Sequence, residues 1–203
     1  MIYRVIGVNS GIAQDGLTIS FLEFTEIGGN WNFTIVNAGL YVYSAEWKAK
    51  IEHAANCTVL DYHLLHNSFG KLIGEQVNHF INEHGLAHRV HLIASRGHTV
   101  FHLPGQGMTT QLGHGAFIAA ETKLPVVTDL LSLDMAFGGK GEPITAIGEK
   151  LLPRDEKSSA YQDTLIIALM GVLRWREEAT MLSASTGARQ NSIGGALWLG
   201  TGA

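Results

Sequence analysis

The stretch Leu17-Thr18-Ile19-Ser20-Phe21-Leu22-Glu23-Phe24 decides the fold. It sets Leu17, Ile19, Phe21 and Phe24 against Thr18, Ser20 and Glu23, close to the two-residue period of a strand with one buried face. Working outward, Tyr3 to Val8 reads as a preceding strand, with the glycine-bearing segment Gly7 to Gly16 between the two. On the other side Gly28, Gly29 and Asn30 supply a turn, and Trp31 to Val36, running on towards Tyr43, makes a third strand. Three successive strands with short connections predict an antiparallel meander.

Past Tyr43 the period changes. Ser44 is an N-cap candidate for a short helix over Ala45 to Ala55. Between Asp61 and His84, the residues Leu64, Phe69, Leu72, Ile73, Val77, Phe80 and Ile81 recur at helical spacing, and Gly85 ends the run. Val90 to Ala94 and Pro125 to Asp129 read as buried strands. Gly115 to Thr122 and Tyr161 to Arg176 read as helices. The order predicts an α/β fold: a single ribonuclease H-like lobe of the kind found in actin-like ATPases. Its meander is extended by parallel strands, with helices on both faces.

Composition narrows the function. Hydrophobic residues are 46% and charged residues 16%, which excludes a disordered chain. A net charge of -4 without a basic stripe argues against nucleic acid as a partner. The single cysteine, Cys57, forms no internal disulfide and reads as buried filler. No apolar run reaches membrane-spanning length, and Met1 to Gly11 is broken too early for a signal peptide, so a cytoplasmic protein is expected.

Two segments could carry chemistry. In Gly7 to Gly16, glycines allow backbone N–H groups to converge on a phosphate, and Asp15 could orient magnesium. An ordinary hairpin turn explains the same residues, and there is no Gly-Lys-Ser/Thr. The second segment is Ser95-Arg96-Gly97-His98-Thr99-Val100-Phe101-His102, just past a buried strand and so at a crevice edge. In an extended chain His98, Val100 and His102 would share a side. Gln111 to Gly115, Asp129 and Gly138 to Pro143 follow, predicting several loops on one sheet edge. His98, His102, His114 and Asp129 are zinc ligands by type, but their spacing fits no known cluster, and no metal site is predicted from them.

These segments resemble the anhydro-N-acetylmuramic acid kinases. The family's Gly-Val-Met-Ser-Gly-Thr-Ser-x-Asp-Gly aligns with Gly7 to Gly16, and its Ser-His-Gly-Gln/His-Thr-Val-x-His with Ser95 to His102. Its Gln-x-Gly-x-Gly and Ile-Ala-x-Glu-Thr match Gln111 to Gly115 and Ile118 to Thr122. Pro125 to Asp129 leads into Ser132 to Gly139, where the family has Gly-Gly-Gln-Gly-Ala-Pro. The segment Tyr161 to Leu199 is similar to the family's C-terminal part.

The resemblance implies an ATP- and Mg2+-dependent phosphotransferase that opens and phosphorylates a 1,6-anhydro sugar in peptidoglycan recycling. It implies nucleotide contacts at Gly11, Ile12, Ala13, Gln14, Asp15, Gly16, Leu17 and Thr18, with Asp15 towards the metal. Sugar contacts fall on Arg96, His98, Thr99, His102, Asp129 and Asp134. The chain also departs from the pattern. Asn9, Ile12 and Ala13 replace Met, Thr and Ser; Arg96 replaces the first His of the sugar motif; Leu131 replaces an Arg; Glu142 replaces an Ala. The family's catalytic Asp lies in a second-lobe motif, Phe-Asp-Thr-Gly-Pro-Gly-Asn, which has no counterpart here. The expected organisation is one domain: first-lobe motifs over 1–152, a bridge over 153–160 where a second lobe would sit, and a C-terminal segment over 161–203 packing back. The expected behaviour is a catalytically silent single-lobe relative. Alternatives are activity after dimerisation or with a partner lobe, and a sugar- or nucleotide-binding module. An apolar patch of Leu112, Phe137 and Ile144 is expected to favour a homodimer.

Overall fold

A computed structural model describes residues 1–11, 15–153 and 160–201. Its main sheet has six strands: β1 (Ile2–Ser10), β2 (Gly16–Ile27), β3 (Asn30–Val42), β4 (Leu92–Ser95), β7 (Val126–Thr128) and β8 (Ala196–Trp198). They lie in the order β3-β2-β1-β4-β7-β8. Pairing is antiparallel for β3 with β2 and β2 with β1, parallel for β1 with β4 and β4 with β7, and antiparallel for β7 with β8. Two further strands, β5 (His98–Leu103) and β6 (Met108–Leu112), form a separate hairpin.

Strand alternation sorts the core into two layers. Val5, Leu92, Ala94 and Val127 face one side, where α5 (Thr145–Leu151) and α6 (Gln162–Trp175) cover them. Ile6, Val8, Ile93 and Val126 face the other, under α1 (Ala45–His53), α2 (Val59–Glu83) and α3 (Gly115–Thr122). Along β3 and the residue after it, the aromatic and branched residues Trp31, Phe33, Ile35, Tyr41 and Tyr43 are all odd-numbered, yet the first three pack on the α6 side and the last two on the α2 side. A bulge resolves this. Phe21 pairs with Asn37 and Leu22 with Ile35, so Val36 is an extra residue that flips the parity of the strand.

The α6 layer depends on close approach. A Cβ on Gly7 would sit 2.1 Å from the Thr164 carbonyl oxygen, and one on Gly171 would sit 2.6 Å from the Ala94 Cβ. Gly7 therefore belongs to strand β1, which runs on to Ser10, and seats a helix. Ser20 and Thr164 join their hydroxyls across 2.7 Å under the same helix. The predicted apolar patch is absent among the described residues: Leu112 and Ile144 are buried in the two cores, and Phe137 is half-buried. Short elements went unread in sequence: β8, the β5–β6 hairpin, α4 (Ser132–Ala136), α5 and α7 (Ser183–Thr186). No described helix is long and apolar enough to cross a membrane.

Candidate functional site

Strands β1, β4 and β7 run parallel, so their carboxyl ends, Ser10, Ser95 and Thr128, emerge on one edge of the sheet. That edge is where ligands bind in open α/β sheets. Two clefts open there. One, of about 350 Å³, is lined by Asn9, Ser10, Gly11, Arg96, His98, Thr99, His102, Glu142 and Asp163. The other, of about 300 Å³, includes Arg96, Gln111, His114, Thr128, Asp129 and Trp198. Arg96 is a wall of both.

Ser10 anchors a chain of hydroxyl and imidazole groups. The Tyr43 hydroxyl donates to Ser10 Oγ at 2.8 Å, and Ser10 Oγ lies 2.9 Å from His98 Nδ1. Ser10 thus links the Tyr43 phenol to the His98 imidazole through one hydroxyl, which can both accept from Tyr43 and share a hydrogen with Nδ1. Burial pushes the His98 pKa down and the Tyr43 pKa up, so both groups stay neutral at physiological pH.

The β5–β6 hairpin supplies the next residues. Thr99 pairs with Gln111 and Phe101 with Thr110, leaving Val100 as a bulge. The expectation that His98, Val100 and His102 share a side is corrected on that account: Val100 packs against the α2 core, while Thr99 and His102 both reach the cleft. His102 Nδ1 meets Thr109 Oγ1 at 3.2 Å, and Gln111 Nε2 donates to the same oxygen at 2.7 Å.

Arg96 bonds through Nη2 to Glu142 Oε1, and the Ile144 N–H donates to Glu142 Oε2 at 3.1 Å. Asp163, which sequence reading missed, enters from the first turn of α6, held by Asn9 Nδ2 at 3.0 Å. A carboxylate at the start of a helix beside a strand-end Asn was the available signal.

Other predicted residues fall elsewhere. Leu17 is fully buried in the α2 core, so its side chain is unavailable to a nucleotide, and Thr18 lies on the opposite face, beside Asp163 and Thr164. Gly16 packs its Cα against the Tyr41 carbonyl, and Ile12, Ala13 and Gln14 lie outside the described residues. Asp134 is corrected from ligand contact to internal support. It is completely buried, accepting from Thr186 Oγ1 at 2.8 Å and from the Gly141 N–H at 2.9 Å. Its short carboxylate thereby shapes the loop that carries Glu142. Asp129 is exposed on the second cleft with a φ of 54°, its carboxylate accepting from Ser132. His114 caps α3, its Nδ1 accepting from the Ala116 N–H at 3.2 Å.

Among the described residues no group of three or more His, Cys, Asp or Glu side chains could hold a metal ion. Asp15 is exposed beside Tyr43 at the hairpin turn. One accessible carboxylate suits magnesium, which keeps most of its waters and takes the rest of its ligands from substrate phosphates.

Comparison with known proteins places these residues in context. The family model described as anhydro-N-acetylmuramic acid kinase matches residues 3–162. The anhydro-N-acetylmuramic acid kinase of Methylobacterium nodulans is 30% identical over 185 residues, covering 83% of this chain and 49% of its own length. The Brucella suis enzyme is 34% identical over 152 residues, covering 70% of this chain and 40% of its own. The Synechococcus elongatus enzyme is 30% identical over 180 residues, with 85% and 46% covered. The chain thus spans half or less of the length of these curated relatives.

Proposed function

The chain belongs to the anhydro-N-acetylmuramic acid kinase family, and on that footing we propose that it is a single ribonuclease H-like lobe that holds an anhydro sugar in the Ser10–His98 cleft without turning it over alone. One observation carries the reading. The carboxyl ends of β1 and β4 and the β5–β6 hairpin bring Ser10, Thr99, His98 and His102 around one cleft of about 350 Å³. A hydroxylated ring needs such a set of donors and acceptors, some of them fixed by partners inside the protein.

Asp15, exposed beside Tyr43, would hold magnesium, and Gly11 leaves the backbone free to approach a phosphate. The ATP–magnesium complex, when bound, supplies the phosphoryl group. The chain's own residues orient the sugar: His98, Thr99 and His102 offer hydrogen-bonding groups to its hydroxyls, and Asp163 offers a carboxylate acceptor. Silence of the lone chain is supported by the short interval between α5 and α6, residues 152–161, where the family's second-lobe motif has no counterpart. The loss of a general base typically costs about 10² to 10⁴ in rate.

A second reading rests on Asp163. A carboxylate already stands in the cleft, so a second copy or a partner lobe covering it would complete a working site. An ADP-release assay with 1,6-anhydro-N-acetylmuramic acid, Mg2+ and ATP, run alongside light scattering, separates the two. No turnover by a folded monomer supports the first reading. Turnover that rises with protein concentration supports the second.

A further inference from the structure

The charges around the two clefts point to the class of sugar. Among the described residues lining them, Arg96 is the one Lys or Arg, whereas Glu142, Asp163 and Asp129 are all acids. The single guanidinium is already engaged. Its Nη2 is bonded to Glu142, and its Nε is buried with no partner. Glu142 is itself pinned by the Ile144 N–H, in a loop whose path is set by buried Asp134. Arg96 is therefore charge-paired inside the protein, its Nη2 committed to Glu142. The two imidazoles whose pKa burial pushes down, His98 and His66, are neutral at physiological pH and bring no positive charge.

Both members of the ion pair stand at positions where the family motifs have other residues, His for Arg96 and Ala for Glu142. They sit 46 positions apart in sequence and meet at the wall between the clefts. Each compensates the other, as expected of a paired change in the character of one site.

We infer that this cleft selects an uncharged 1,6-anhydro sugar over the carboxylated one in the family's name, with the Arg96–Glu142 pair as the specificity-determining element. The inference rests on the reading of the cleft as a sugar site. A carboxyl group brought into a cleft already bearing Glu142 and Asp163 meets like charge, offset among the described lining residues only by the Arg96 guanidinium that Glu142 already pairs. Hydroxyl and acetamide groups meet no such penalty.

The test is calorimetric titration of the whole chain with three sugars on one ring. These are 1,6-anhydro-N-acetylglucosamine, 1,6-anhydro-N-acetylmuramic acid and the methyl ester of the latter. The neutral sugar and the ester are expected to bind about tenfold tighter than the acid at low salt, with the gap narrowing as salt screens the charges. Glu142→Gln, which keeps the shape and the Arg96 contact, should tighten the acid by about tenfold and leave the neutral sugar within about twofold. Equal affinities, or preference for the acid, would overturn the inference while leaving the sugar reading intact. An ester as weak as the acid would assign the discrimination to size and overturn it too. Binding of none of the three would remove the sugar reading itself, and the inference with it. The wild-type comparison needs no variant to fold.

Discussion

The Asn9 side-chain amide donates to the Asp163 carboxylate across 3.0 Å, tying the end of strand β1 to the first turn of helix α6. Residues 154 positions apart are thus joined at the floor of the cleft, and the C-terminal helix contributes a charged group to a site otherwise built from residues between Asn9 and Glu142.

Breaking that tie gives the first prediction. Asn9→Ala should cost about 1 kcal/mol of stability, as a hydrogen bond to a partly exposed charged group is lost. It should also weaken sugar binding, since Asp163 is no longer held in place. Asp163→Asn should keep most of the stability while losing affinity. Denaturant melts and calorimetry on both variants check the split.

Gly7→Ala tests the seating of α6. The added Cβ meets a backbone carbonyl at 2.1 Å, and neither strand nor helix can yield without shifting the core. A loss of about 3 kcal/mol or outright misfolding is expected. Gly171→Ala meets the Ala94 Cβ at 2.6 Å rather than a backbone carbonyl at 2.1 Å and should cost less. Melting curves that leave G7A at wild-type stability would mean α6 does not sit where described.

Asp134→Ala removes the acceptor of both the Thr186 hydroxyl and the Gly141 N–H from a fully buried position. About 3 kcal/mol should be lost in chemical denaturation, because two buried donors are left without partners.

Acid should destabilise the protein through His66. Burial, with His114 and His63 nearby, pushes its pKa down to about 4, against about 6.5 in the unfolded chain. The folded state favours the neutral ring, so the unfolded chain binds more protons between these values, and stability falls as pH drops through that window. Between pH 7 and pH 5 the loss from this group is about 2 kcal/mol. His66→Gln should flatten that part of the pH–stability curve, as urea melts at the two pH values would record.

Much of the sheet was legible in sequence because each strand there carries a period-two pattern or a short apolar run. The pattern of β3 was readable as a strand but not in its facing, since the flip at Val36 depends on pairing with β2. Gly7 misled for a physical reason: a glycine needed for close helix packing looks identical in sequence to one needed for a phosphate turn. Asp134 and Asp129 are both acids beside the same strand end, and only burial separates the support from the cleft residue. Strand β8, with three residues and Trp198 at its end, is too short to show a period, and its pairing with β7 is set by the tertiary fold.

The proposed sugar position lies between β1, β4 and the β5–β6 hairpin. Amide chemical-shift mapping of the 15N-labelled chain during titration with 1,6-anhydro-N-acetylglucosamine tests it most directly. Saturable shifts are expected at Gly11, Arg96, Thr99, His102 and Asp163, and none around the Cys57 hollow between α1 and α2. Shifts confined to that hollow, or none at millimolar sugar, would contradict it.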